Sequence, residues 1–433
     1  MLKRKWSLMT VSADIRSQKV RVDMFGKDFL NNPYPDYVRL REEEPVHWDN
    51  RLNGWVITRH SDVYAAHLDP ETFSSHRLGA MVSNKVGPTS SDEMKRFMDL
   101  APEWMLFRDP PDHTRIRRLL NREFRARDMR ALRPAIEEIA TEVIRRAAGK
   151  GEFDLVKDFA YQLPGRVLAT MYGLPSAEGT RLTDWWYEIR HMQRVFLGAD
   201  PTQVAPSGSP TAEAFSQMTP YLAELIGDRR SRPKDDLVTR VIAIAERGEE
   251  EALGLSEQEM FAHLLLLPLA SFGTTMDLIG NGVLGLLGQR DQWDLLKDEP
   301  ELIPSAVEEV LRYDASVQLT HRLVTRDIEV AGQPIAGGEL VYLVRGAANR
   351  DPERWPAPDR IDVRRHDSGH VGFGVGIHRC LGAGLAQVIT AAALKVLTQC
   401  VPGLSPVPDR PHRWKADTPQ FRGLAEFPVR GER

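Results

Sequence analysis

Cysteine is scarce: Cys380 and Cys400 are the only two in 433 residues. Two thiols near one end cannot staple a secreted fold of this size, which excludes a disulfide scaffold and points to a reducing, cytoplasmic setting. Long apolar runs are missing as well. The most hydrophobic stretch, Leu264 to Ala270, falls far short of the roughly 20 residues a bilayer span needs. The first residues mix Lys3, Arg4, Lys5, Asp14 and Arg16 with scattered apolar side chains, so neither export nor membrane attachment is expected. Charge of one sign is lacking too: 57 basic and 61 acidic side chains leave −4, no global field for holding nucleic acid. Repeats and low-complexity blocks are absent, which excludes a solenoid.

What is present is a globular composition, 42% hydrophobic and 27% charged, enough for a sizeable core. The chain reads as one unit, a single domain over residues 1–433 with a flexible start over residues 1–20. Asn53-Gly54 lies between the apolar runs Val46 to Trp48 and Trp55 to Thr58 and predicts a hairpin. From Ser61 to about Asp228 the period is mainly helical, Met129 to Ala148 being the clearest example. Gly198 to Pro210, rich in Pro, Gly and Ser, predicts a loop, either a plain connection or a lid.

Ser256 and Glu259 form a capping box that opens a helix running to about Gly288. Its length of about 48 Å carries it through the core. Pro268 cannot donate to the Leu264 carbonyl and Gly273 lowers helix propensity, so a kink or opened turn is expected between them. A helix from Pro304 to Tyr313 and short strands at Ile328 to Val330 and Leu340 to Val344 follow. A coil from Asp351 to Ser368 then leads to a glycine-rich segment, Gly372 to Gly384. Mainly α with small β-sheets is the expected class.

Phe373-Gly374-Val375-Gly376-Ile377-His378-Arg379-Cys380-Leu381-Gly382 places a thiol after a glycine loop and before a helical stretch beginning near Leu381. Backbone N–H groups at a helix start favour a thiolate, and glycines let a flat ligand approach the backbone. A soft thiolate suits iron or zinc. Zinc lacks further ligands at standard spacing, and His378 is too near Cys380 to serve as its base. By itself the loop also suits a structural cysteine, the reading given to Cys400 on an apolar helix face.

The segment resembles the haem-binding loop of the cytochromes P450, F-G-x-G-x-H/R-x-C-x-G. The resemblance implies a triangular-prism fold with haem b between the long helix and the cysteine loop. Cys380 would be the iron ligand, with Phe373, Gly374 and Gly382 shaping the loop around it. Glu309-Val310-Leu311-Arg312 is similar to the family's E-x-x-R helix, with Arg365 as third member of a structural ion-pair network. Asp109-Pro110-Pro111-Asp112-His113 resembles a helix start whose His113 and Arg117 hold a haem propionate; Arg322 and His378 match two further propionate positions. From Arg108 to Arg133 nine Arg face four acids. That is either a solvated face or, within the family and with Arg379, the docking face for an acidic electron donor.

On the oxygen side, Ala270-Ser271-Phe272-Gly273-Thr274-Thr275 stands against a family pattern of A/G-G-x-D/E-T-T. Thr274 is the expected proton relay. Gly273 replaces the usual acid; Asp277, about 40° round the helix and one turn on, water, or a polar substrate would have to take its place. Ala270, Gly273, Val317, Leu319 and Phe421 are the expected pocket lining, together with Leu78 to Leu106 and the lid near Phe196. The resemblance implies a haem-thiolate monooxygenase that inserts one atom of dioxygen into a lipophilic small molecule. Electrons would come from a ferredoxin-type partner and a reductase, none being fused to this chain. A peroxygenase or oxidative-coupling enzyme of the same fold, and a non-catalytic haem sensor or carrier, remain as alternatives.

Overall fold

Asn53 sits at φ 51° in the turn that joins β1 (Val46–Asp49) to β2 (Gly54–Ile57), the left-handed conformation such a tight hairpin requires. A Cβ on Gly54 would lie 2.7 Å from the Leu340 carbonyl oxygen, so only glycine lets the next strand in the sheet approach. With β3 (Phe73–Ser74), β4 (Leu319–Val324) and β5 (Leu340–Val344), these strands form a sheet in the order β1-β2-β5-β4-β3. The β2–β5 pair is parallel, Trp55 opposite Val341, and the other pairs are antiparallel. Val46, Trp48, Trp55, Ile57, Val341 and Leu343 bury one small core here. The sheet thereby places Arg322 of β4 and the end of β5 against the helical body.

This computed structural model describes residues 19–82, 90–176, 178–197, 201–249, 254–367 and 369–431. The expectation for residues 1–20 lies outside them, save for the last two residues, as do residues 83–89 of the stretch from Leu78 to Leu106 and residues 198–200 of the expected loop. The rest of that loop is partly helical: Pro201–Val204 forms one turn, and Ser209 caps the helix Pro210–Ser231 by accepting from the Ala212 N–H.

Helices supply the body. The functional ones are α1 (Asp112–Leu120), α2 (Arg133–Ala148), α3 (Glu257–Gly288), α4 (Ile303–Tyr313) and α5 (Ala383–Cys400). The helix expected from Met129 is two, divided at Leu132, because Pro134 in the first turn of α2 lacks the N–H that would continue the preceding helix. The capping box of α3 forms as expected: Ser256 Oγ accepts from the Glu259 N–H at 3.1 Å, and Glu259 Oε2 accepts from the Ser256 N–H at 2.9 Å.

The opened turn at Pro268 does not appear. Helix α3 is continuous, and the Leu264 carbonyl that Pro268 leaves without a donor accepts instead from the Tyr172 hydroxyl at 2.8 Å. A neighbouring helix thus repairs the missing rung. Helices α3 and α5 are long and apolar enough to cross a membrane, but their most apolar windows are 72% and 67% buried within the fold, as core helices are.

Helix α4 anchors the coil that follows β5. Arg312 forms a bidentate pair with Glu309, both contacts at 2.8 Å, and donates to the carbonyls of Asn349, Pro358 and Arg360. Glu309 also accepts from the Asp362 N–H at 2.9 Å and pairs with Arg365 at 3.1 Å. Glu309 and Arg312 are almost fully buried, so removing one charge strands the other. Glu309→Gln is expected to lower the unfolding free energy by about 3–5 kcal/mol, read from urea denaturation; a loss below about 1 kcal/mol, the scale of an exposed pair, would contradict this.

His263 gives a pH signature. Fully buried in α3, its Nδ1 donates to the Glu259 carbonyl at 2.7 Å and its Nε2 accepts from the Met105 N–H at 3.2 Å. Burial lowers its pKa to about 4. The unfolded chain therefore takes up the proton first, and this contribution to stability is complete above about pH 6.5 and is lost as pH falls towards 4. Urea midpoints measured from pH 7.5 to 5 are expected to fall more steeply for wild type than for His263→Gln.

Candidate active site

Cys380 lies where a coil turns into α5. Its N–H donates to the Phe373 carbonyl at 2.9 Å, closing the loop on itself. Gly374 and Gly376 have φ of 68° and 72°. A Cβ on Gly376 would come within 2.5 Å of the His67 carbonyl, and one on Gly374 within 2.9 Å of the Arg345 guanidinium. These two glycines therefore admit the protein's own groups into the loop. Helix α5 starts at Ala383, two residues later than expected, with Gly382 as its N-cap. Burial raises the Cys380 thiol pKa, while the Gly382 N–H and the charges of Arg117, Arg345 and Arg379 draw it down. The other thiol, Cys400, is exposed at the last residue of α5; its expected place on an apolar face is wrong because the helix ends there.

One cavity collects the segments that sequence kept apart. Cys380 and Phe373 line it from one side, Ala270, Gly273 and Thr274 of α3 from the other, and Val317, Leu319 and Phe421 from the flank. Phe421 arrives through a single bridge to Val317. The Thr274 hydroxyl donates to the Ala270 carbonyl at 2.7 Å, the local bond a helical threonine makes, and the residue lines the cavity. Asp277 reaches the same cavity but is buried and ion-paired with Lys415, a partner the sequence did not disclose. Burial raises its pKa and Lys415 opposes that rise. Gly423 makes room for the pair, since a Cβ there would collide with the Asp277 carboxylate.

The cavity's edge is cationic without matching acids. Arg117 of α1 lines it and donates to the Arg379 carbonyl at 2.6 Å and to Asn121; Arg322 of β4, expected at the site, is buried near Arg77 without lining the cavity and donates to the His321 carbonyl at 2.8 Å. Among the described residues neither has a carboxylate partner, nor do Arg77 and Arg345, which also line the cavity. Burial, then the charge of Arg345, brings the Arg322 pKa down to about 10. His113 and His378 lie in contact with ring centroids 4.0 Å apart and planes tilted by 47°; both nitrogens of His113 and Nε2 of His378 are buried without a hydrogen-bond partner. Burial lowers both imidazole pKa values, that of His113 to about 4. Unpaired cations and orphaned donors of this number require anionic oxygens.

A flat dianionic porphyrin would meet that demand, its two carboxylates answering the cationic edge and the Cys380 thiolate supplying a ligand for its iron. Fold and site together define a haem-thiolate protein. The profile of the family described as Cytochrome P450 matches residues 266–399. The chain is 38% identical over 414 residues to cytochrome P450 107B1 of Saccharopolyspora erythraea, covering 94% of this chain and 96% of the relative. It is 36% identical over 401 residues to mycinamicin IV hydroxylase/epoxidase of Micromonospora griseorubida, covering 91% and 94%. The crystal structure of epothilone D-bound cytochrome P450epoK superposes with a TM-score of 0.86 at 26% identity, over 96% of this chain and 100% of that one. This chain belongs to the cytochrome P450 family; it is a haem-thiolate monooxygenase that binds haem b.

Sequence reasoning missed Arg77, His321, Arg345 and Lys415. Arg77 Nε donates to His321 Nδ1 at 2.7 Å, leaving His321 Nε2 without a partner. No local pattern marks such residues, because their environment is assembled from distant segments. Removing one propionate anchor tests the cationic edge. Arg322→Gln is expected to release haem to apomyoglobin about ten-fold faster than wild type, the scale of one charge-assisted hydrogen bond; an unchanged rate would contradict the assignment.

Proposed function

We propose that this monooxygenase hydroxylates or epoxidises a lipophilic metabolite, using electrons from a separate ferredoxin-type protein and its reductase in the cytoplasm. The observation that carries this reading is the convergence of Cys380, Thr274 and an apolar flank on one cavity. Cys380 would ligate the haem iron; His113, Arg117, Arg322 and His378 would hold the propionates, with Arg345 and Arg77 adding charge. Haem, when bound, supplies the activation of dioxygen. The protein's part is to hold the thiolate charged through the Gly382 N–H and nearby arginines, to exclude bulk water with Val317, Leu319 and Phe421, and to move protons along the Thr274 hydroxyl. Asp277 or water supplies those protons in place of the acid absent at Gly273.

Electron delivery fits the face below Cys380. Arg108 and Arg115 are taken up by Glu259, at 2.9 and 2.5 Å, so part of the basic stretch is structural. Arg118, Arg122, Arg125, Arg127, Arg130 and Arg379 are exposed. Such a surface speeds encounter with an acidic donor and loses that advantage in salt. The relatives named above, among them a hydroxylase/epoxidase and an epothilone-bound enzyme, support secondary metabolism as the setting. Gly273 favours a second reading, peroxide-driven turnover or oxidative coupling, because both lessen the need for protons at that turn.

Two measurements test the proposal. The reduced, carbon monoxide-treated wild type is expected to show the red-shifted Soret band that gives the family its name, and Cys380→Ser to lack it. With a bound substrate and a surrogate ferredoxin, Thr274→Ala and Asp277→Asn are each expected to consume more oxygen per product formed; unchanged coupling in both would reject the relay.

A further inference from the structure

The turn of α3 that lacks its acid faces a cation. A Cβ on Gly273 would meet one neighbour from outside its own helix within 4 Å, Cδ of Arg190 at 3.8 Å. Arg190 opens the short helix Arg190–Leu197 and lines the cavity. Its Cζ lies 4.3 Å from the Tyr187 ring centroid; Tyr187 packs on Tyr161, and Tyr161 on Phe272 of α3. A chain of edge-to-face rings therefore backs the guanidinium. Its Nε and Nη2 are buried with no hydrogen-bond acceptor, and the Asp417 carboxylate is 3.7 Å from Nη2, beyond hydrogen-bond reach.

The surrounding charges leave that cation in excess. Lys415 already occupies Asp277. Arg194, exposed, lines the same cavity one turn on and adds a second guanidinium to this side of it. His191 between them is neutral at pH 7, burial and then Arg190 lowering its pKa to about 4. Leu267, Val317, Leu319 and Phe421 supply apolar lining in the same cavity. A ligand that suits such a cavity has a greasy body and one anionic head.

We propose that the substrate is a lipophilic carboxylate whose head is clamped by Arg190 beside Gly273. This rests on the monooxygenase reading and specifies its substrate class. A guanidinium offers a carboxylate two parallel N–H donors, and the freed Nε and Nη2 form such a fork. An acid at position 273 would neutralise the clamp, which accounts for the glycine.

The test uses the haem-loaded enzyme and matched pairs: lauric acid and methyl laurate, phenylbutyric acid and its methyl ester, retinoic acid and methyl retinoate. Binding is read from the Soret spin-state shift and by calorimetry. At least one acid is expected to bind about ten- to a hundred-fold more tightly than its own ester, the range of a buried charge-assisted contact. Arg190→Gln is expected to erase that preference, Arg190→Lys to keep part of it, and Gly273→Asp to erase it by presenting its own carboxylate to Arg190. Esters that match or outbind every acid in the wild type overturn the proposal. A preference that survives Arg190→Gln overturns it as well. If Arg190→Gln does not fold, the wild-type pairs and Gly273→Asp decide. A normal carbon monoxide spectrum alongside absent acid preference sinks the clamp alone, whereas an abnormal spectrum sinks the haem-thiolate reading beneath it.

Discussion

The buried Glu309–Arg312 pair is the constraint on which the site's geometry depends. Arg312 ties three carbonyls of the coil after β5 to α4, and Glu309 holds that coil again through Asp362 and Arg365. Asn349 extends the tie: its side chain donates to the Leu311 carbonyl at 3.3 Å and accepts from the Val371 N–H at 2.8 Å, two residues before Phe373. A segment with little regular structure is thereby positioned as firmly as a helix, and the cysteine loop inherits that position. In isolation a buried ion pair is weak evidence for stability. Its value here is in fixing where a coil runs.

The opposite arrangement holds a few residues away. Arg77, Arg117 and Arg345 converge on the cavity without carboxylates of their own, and Arg322 lies buried near them. The protein so carries two kinds of arginine, one satisfied by its own chain and one that requires anionic oxygens from a cofactor. Arg190 stands between the two, with Asp417 3.7 Å away and two N–H groups lacking acceptors, and the carboxylate proposed for it extends the argument made for the porphyrin.

Much of this was legible in the sequence where the signal is local. The Asn53-Gly54 turn, the Ser256–Glu259 box and the Glu309–Arg312 spacing each rest on residues within one turn of each other, and each forms. The cysteine loop was legible by resemblance to a family, and its neighbours in the cavity followed from the same resemblance. Hidden were the features made by distant partners: Lys415 against Asp277, Arg190 against Gly273, Arg345 against His67. The expected opened turn at Pro268 is closed for that reason too. The sequence shows a lost donor, but the hydroxyl that replaces it belongs to a different helix.

That replacement couples two parts of the molecule. With Pro268 in place, the Leu264 oxygen accepts from the Tyr172 hydroxyl, just past the end of the helix Gln162–Met171. Sliding the two helices apart would bare a desolvated carbonyl to hydrocarbon. The proline consequently locks rather than loosens α3 at this turn.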